Sequence, residues 1–146
     1  MPERGSGTLW AMIRRQQIST AAEQRHKADV GLAAKRDELL AAAQEAEARF
    51  RDAQARNVPV REEHALAVAL DEALTAAMRA AYAARDAEIG ARGYDDRIFR
   101  RKAMAKPAVR ALTAQAEHLL TLRETHRLND IPADLFEPIA GPRAGG

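Results

Sequence analysis

Histidine and glutamate at helical spacing are the residues of this sequence best suited to chemistry, because di-iron helical bundles bind their metals through Glu-x-x-His pairs on two helices. Glu23 and His26 have that spacing once. None of His64, His118 and His126 has a glutamate three residues before it, so the second half of such a site is missing. We therefore predict no metal and no cofactor, and we expect His118 and His126 to line a half-exposed helix face.

Other catalytic signatures are missing from the sequence. It contains no GxGxxG, no P-loop lysine motif, no GxSxG, no HExxH and no acidic calcium loop. There is no cysteine for a disulfide, a thiolate metal site or nucleophilic catalysis, and no motif accompanies Ser6 or Ser19. The sequence thus favours a protein that is not an enzyme, and the missing cysteines fit a reducing cytoplasm.

A cluster of basic residues is the strongest electrostatic feature. Between Arg92 and the end of the cluster only Asp95 and Asp96 oppose it. Clustered cations beside Phe99 can bind phosphates, which makes nucleic acid one candidate partner. Pairing with acids on a neighbouring helix, plain solvation or an acidic protein partner would use the same charges. The candidate phosphate-binding residues are Arg97, Arg100, Arg101, Lys102, Lys106 and Arg110.

Bulky apolar residues are concentrated near the two ends of the sequence. Trp10 and Ile13 belong to an apolar cluster that either plugs one end of a bundle or anchors a partner. Leu135, Phe136 and Ile139 lie between prolines, and they either fold back on the bundle or form a linear docking motif. We predict all five as partner-binding residues.

The element that must position these groups is a long helix-forming stretch, Thr8 to Arg56, with no proline and one glycine, Gly31. It predicts one helix, or two that share an axis, with Thr8 as its N-cap; whether Gly31 kinks it stays open. The heptad-like seam that starts at Ile18 is interrupted by charged residues, and a straight helical face that ends at Phe50 is cleaner. This pattern favours a globular bundle over a regular two-stranded coil.

Two further helices follow from punctuation in the sequence. Asn57 and Pro59 end the first stretch, and the next helix is expected from about Val60 to Ile89, before Gly90 and Gly93 stop it. Asp95 or Asp96 then caps a turn. Pro107 either starts the third main helix or kinks a longer one, and that helix should end near Asn129.

The hydrophobic core should be thin, because much of the apolar content is alanine. Leu, Ile, Val and Phe are only 27 of the 146 residues. The net charge of +2 argues against disorder, so we expect ordered helices that gain stability from a partner chain.

In length and in its arginine-bearing, heptad-like pattern, the stretch up to about Arg56 resembles the stalk proteins of flagellar and type III secretion export. Phage scaffolding and neck proteins show a similar likeness. Stalk proteins are two-helix hairpins, whereas this chain breaks at Gly90 to Gly93, so no function or residue is carried over.

Together these patterns predict an all-α fold, an elongated antiparallel bundle of three main helices with a coiled-coil-like first helix. Residues 1–7 should form a flexible arm, 8–129 the bundle and 130–146 a Pro/Gly-rich tail. We predict a non-catalytic structural or adaptor protein that acts through protein contacts, or by self-association, in a larger bacterial or phage assembly. The alternative is a nucleic-acid-binding protein that uses the surface from Arg97 to Arg110. We expect no membrane span, and a location in the cytoplasm or within a phage particle.

Overall fold

The computed structural model describes residues 18–131, and 87% of that range is helical, with no strand in it. The prediction of an all-α fold is confirmed. Six helices occur in the described range instead of three main ones: α1 Thr20–Ala33, α2 Arg36–Ala55, α3 Val60–Ile89, α4 Arg92–Asp95, α5 Arg97–Ala103 and α6 Pro107–Asp130.

The chain divides into two compact units. The first unit is Met1–Lys35 with Ala80–Ala114, and the second unit is Arg36–Arg79 with Gln115–Gly146. Helices α3 and α6 each contribute residues to both units, whereas α1, α4 and α5 belong to the first and α2 to the second.

The long first stretch consists of two helices within the described residues. Ser19 has an extended backbone, and its hydroxyl accepts a hydrogen bond from the Ala22 N–H at 3.0 Å, so Ser19 is the N-cap of α1. The predicted cap, Thr8, lies outside the described residues. The break between α1 and α2 falls at Ala34 and Lys35, while Gly31 lies inside α1.

The turn after α2 confirms the predicted stop at Asn57. This residue has a φ of 50°, in the left-handed region that asparagine tolerates. The Val58 N–H bonds to the Ala53 carbonyl at 3.3 Å and the Asn57 N–H to the Gln54 carbonyl at 3.2 Å, which is the Schellman arrangement. Helix α3 then begins at Val60, as predicted.

The remaining helix boundaries also follow the predicted punctuation. Gly90 ends α3 with a φ of 98°, a conformation that favours glycine. Asp96 is the N-cap of α5 and accepts a hydrogen bond from the Phe99 N–H at 2.9 Å. Pro107 begins α6, which settles the alternative of a kinked longer helix.

Alanine dominates the core, as the composition predicted. Eleven of the eighteen buried apolar residues in the described range are alanine, and Val109 is the one large side chain there that is fully buried. In the first unit Ile89, Ala103 and Val109 form a cluster against which Phe99 and Met104 pack. Within residues 18–131 no helix has both the length and the apolar character needed to cross a membrane.

Candidate functional site

The predicted basic cluster lies on α5 and the start of α6, in the first unit. On α5, Arg97 and Arg101 are four residues apart, as are Ile98 and Lys102, so these four exposed side chains share one helix face. The opposite face carries Phe99 and Ala103, which pack against the first unit's apolar cluster. Packing of the inner face therefore holds the cationic face outward.

Contacts at the start of α5 fix the orientation of this helix. The Arg92 guanidinium lies over the Phe99 ring, 4.7 Å from its centroid, and donates to Asp96 Oδ2 at 3.3 Å. The Phe99 backbone N–H, helped by Arg92, holds the pKa of Asp96 below its ordinary value. The cap and the stacked arginine thus anchor the turn that leads into the basic face.

Acidic residues that might neutralise the cluster are engaged elsewhere. Asp95 accepts hydrogen bonds from the Ser19 N–H at 2.7 Å and from the Ser19 hydroxyl at 3.0 Å. Asp86 accepts a 2.7 Å bond from Arg100, whose side chain is half-buried. The structure therefore separates Arg100 from the predicted phosphate-binding set, because its guanidinium is already paired with a carboxylate.

The remaining predicted cations form what we call the basic surface: Arg97, Arg101, Lys102, Lys106 and Arg110. All five are exposed, and none has an ion pair among the residues that the structure describes. Arg97 and Arg101, and likewise Lys106 and Arg110, place like charges at the i,i+4 spacing, which costs a helix about 0.2–0.5 kcal/mol per pair. A bound anion would remove this repulsion, so binding of phosphate or carboxylate groups is the chemistry that this surface can support.

A tyrosine connects α4 to α1 beneath this surface. The Tyr94 hydroxyl donates a hydrogen bond to Asp29 Oδ2, and the Arg25 guanidinium lies 5.7 Å from the Tyr94 ring centroid. Burial, with the hydrogen bond to Asp29, raises the pKa of Tyr94 above its ordinary value. The contact ties the segment that carries the basic surface to the first helix of the same unit.

The second unit contains an apolar groove with a volume of about 120 Å³. At one side the rings of Phe50 and His126 meet edge to face, with centroids 5.3 Å apart and planes at 79°. Leu122, with 39% of its surface exposed, also lines the groove. We call this cavity the aromatic groove; its lining residues are Glu47, Phe50, Arg51, Gln54, Leu70, Leu74, Leu122, Thr125, His126 and Asp130.

The prediction that His126 lies on a half-exposed face is wrong, because the residue is only 5% exposed. Its Nε2 donates to the Ala67 carbonyl at 2.7 Å, and its Nδ1 lies 3.0 Å from Asp130 Oδ2. Both ring nitrogens thus face oxygen acceptors, so both bonds form when the ring is doubly protonated or when Asp130 carries a proton. Since both nitrogens are bonded within the protein, the ring serves to join α3 to α6.

An ion pair joins the same two helices. Arg127 donates from Nε to Asp71 Oδ1 at 2.6 Å and from Nη2 to Asp71 Oδ2 at 3.1 Å. The Asp71 side chain is 11% exposed, and its hydrogen bonds raise the pKa of Arg127 further above its ordinary value. A two-point bond of this kind fixes the register of α6 on α3 in the second unit.

The other predicted site residues cannot be placed against these features. Trp10, Ile13, Leu135, Phe136 and Ile139 all lie outside the described residues. Within residues 18–131, no group of three or more histidine, cysteine, aspartate or glutamate side chains is arranged to hold a metal ion. His26, the half of a di-iron motif noted above, has a buried Nδ1 without a hydrogen-bond partner.

The aromatic groove was not predicted from the sequence. Phe50 was placed on the apolar face of the first stretch, and it is buried, at 4% exposure. The i,i+4 spacing of His126 and Asp130 on one helix was the available signal. That spacing does not reveal the partners from α2 and α3, because they are distant in sequence.

Comparison with known proteins identifies no relative: the sequence matches no family profile, and neither a curated protein nor a solved structure is significantly similar to it.

Proposed function

We propose that this protein is a non-catalytic helical adaptor that acts through protein contacts in a larger bacterial or phage assembly. The observation that carries the proposal is the contrast between the core and the surface. The core is built mainly of alanine, while Leu128 is 84% exposed, Val60 81% and Ile98 70%. Each alanine removes little apolar area from water, and burial contributes about 25 cal/mol per Å².

A partner that covered the exposed large side chains would add the burial that the alanine core lacks. The geometry of His126 supports the non-catalytic part of the proposal. Both its ring nitrogens are bonded inside the protein, to Ala67 and Asp130, which leaves neither free to exchange protons with a substrate. The apolar ends, Trp10 with Ile13 and Leu135 with Phe136 and Ile139, are the proposed docking points.

Sedimentation velocity over a wide concentration range, combined with thermal unfolding at the same concentrations, tests the adaptor. We expect association, or a retained partner, and a midpoint that rises with concentration, since binding to the folded state stabilises it. Leu128→Ser and Val60→Ser should reduce association without lowering monomer stability, whereas Thr121→Ser, also on an exposed position of α6, should change neither. A monomer at every concentration that retains no partner would oppose the proposal.

Binding of nucleic acid is the second candidate, and the basic surface favours it. Five exposed cations without ion pairs on 14 consecutive residues, Arg97 to Arg110, offer phosphates a ready-made anion site. If all five contact phosphates, the affinity for duplex DNA should fall with a log–log salt slope of about −4 to −5.

Paired charge variants separate this candidate from unspecific attraction. Arg97→Ala with Arg101→Ala should reduce the salt slope by about 2. The control, Arg49→Ala with Arg56→Ala, changes the net charge equally but removes arginines that are already paired with Glu45 and Asp52. Equal loss of binding in both variants, or binding that is insensitive to salt, would dismiss a nucleic-acid site on the basic surface.

A further inference from the structure

We infer that Phe136 of the same chain occupies the aromatic groove of the second unit, with Leu135 and Ile139 covering its mouth. The groove and this segment belong to one chain, so the inference does not depend on the proposed function. It assigns a binding site to the groove and an occupant to the site.

The size of the groove matches one aromatic ring. Its volume is about 120 Å³, and an apolar cavity of roughly 150 Å³ inside a protein binds benzene. Two of its lining side chains are themselves rings, Phe50 and His126, which meet edge to face. A third ring can extend that arrangement, since aromatic pairs favour edge-to-face and offset contacts. Phe136 is the one aromatic residue after Asp130.

The position of α6 brings the segment to the groove. Leu122, Thr125, His126 and Asp130 of α6 line the groove, so it extends along roughly 12 Å of this helix at a rise of about 1.5 Å per residue. The described chain ends at Ile131, directly after Asp130, and Ile131 is buried, at 6% exposure. Phe136 follows five residues later, a reach of up to about 17 Å, which covers the whole groove.

The inference has a regulatory consequence. Leu135, Phe136 and Ile139 are the same residues proposed to dock on a partner. A partner that takes these anchors must first draw them out of the groove, so the apparent affinity falls by the fraction of chains in which the groove is filled.

The absence of cysteine from the sequence allows a clean test in the full chain. A nitroxide on Ala140→Cys, in protein with labelled leucine methyl groups, should broaden the signals of Leu70, Leu74 and Leu122. Phe136→Ser should lower the occupancy constant by roughly 10-fold or more, the effect of exposing one bulky apolar side chain, and so remove most of the broadening. Phe136→Leu should retain most of it.

The same label distinguishes the other occupants. In a mixture of nitroxide-bearing chains without isotope and isotope-labelled chains without cysteine, we expect no broadening. Broadening in the mixture would assign the groove to a second copy and overturn the inference. Broadening that is equal in Ala140→Cys protein with and without Phe136→Ser, or no broadening of these three leucines, would overturn it as well.

Discussion

Two glycines in the first unit should respond in opposite directions to the same substitution. Gly31 lies within α1, is exposed, and an added Cβ would meet nothing within 4 Å. Gly31→Ala should therefore stabilise the protein by about 0.5–1 kcal/mol, the usual cost of glycine inside a helix. Gly93 is buried, and an added Cβ would collide with Ile89 Cγ2.

Ile89 has little room to move away from that contact. It is 6% exposed and belongs to the cluster that contains Ala103 and Val109. Insertion of a methyl group into such a core costs about 1–3 kcal/mol. Gly93→Ala should thus destabilise the protein, and the two alanine variants should differ by about 2–4 kcal/mol in the free energy of unfolding.

Urea unfolding followed by circular dichroism measures both effects, with thermal midpoints as a second readout. For a chain of 146 residues, 1 kcal/mol corresponds to about 3 °C in the midpoint. A double-mutant cycle then isolates the cause: Ile89→Leu removes Cγ2 at nearly constant volume and should relieve the penalty of Gly93→Ala. The reasoning is refuted if Gly93→Ala is as favourable as Gly31→Ala, or if Ile89→Leu leaves its penalty unchanged.

Three further substitutions test contacts seen in the structure. Asp71→Ala should cost about 2–3 kcal/mol in urea unfolding, less than a fully buried pair because Arg127 is 28% exposed, and Asp71→Leu with Arg127→Met should recover most of that loss; no loss in Asp71→Ala would contradict the pair. Because the pKa of Tyr94 is raised by burial and by its bond to an aspartate, the unfolded chain loses its phenol proton first, so stability should fall above about pH 10. Tyr94→Phe should flatten that fall, and an unchanged alkaline profile would argue against the contact. The lowered pKa of Asp96 acts at the other end of the scale: the unfolded chain takes up the proton first, so its contribution is complete above about pH 4 and is lost in more acid solution. Asp96→Asn keeps a capping side chain and should weaken this acid dependence in unfolding titrations between pH 2 and 6.

Local signals in the sequence determined the class of fold, most helix boundaries and the nature of the core. The limits of α3, the left-handed Gly90, the cap at Asp96 and the start of α6 at Pro107 follow from steric and hydrogen-bonding preferences of single residues. The alanine-rich core follows equally directly from composition, because these helices offer few larger apolar residues to bury.

The tertiary structure alone decided where the first stretch breaks and which polar groups are buried. Ala34 and Lys35 are good helix formers, and their break coincides with the boundary between the two units after Lys35. Arg100 leaves the basic surface for Asp86, 14 residues before it, and His126 is buried by a carbonyl 59 residues away. Such pairings depend on which helix faces meet in space, and a helical period in the sequence gives the faces without their partners.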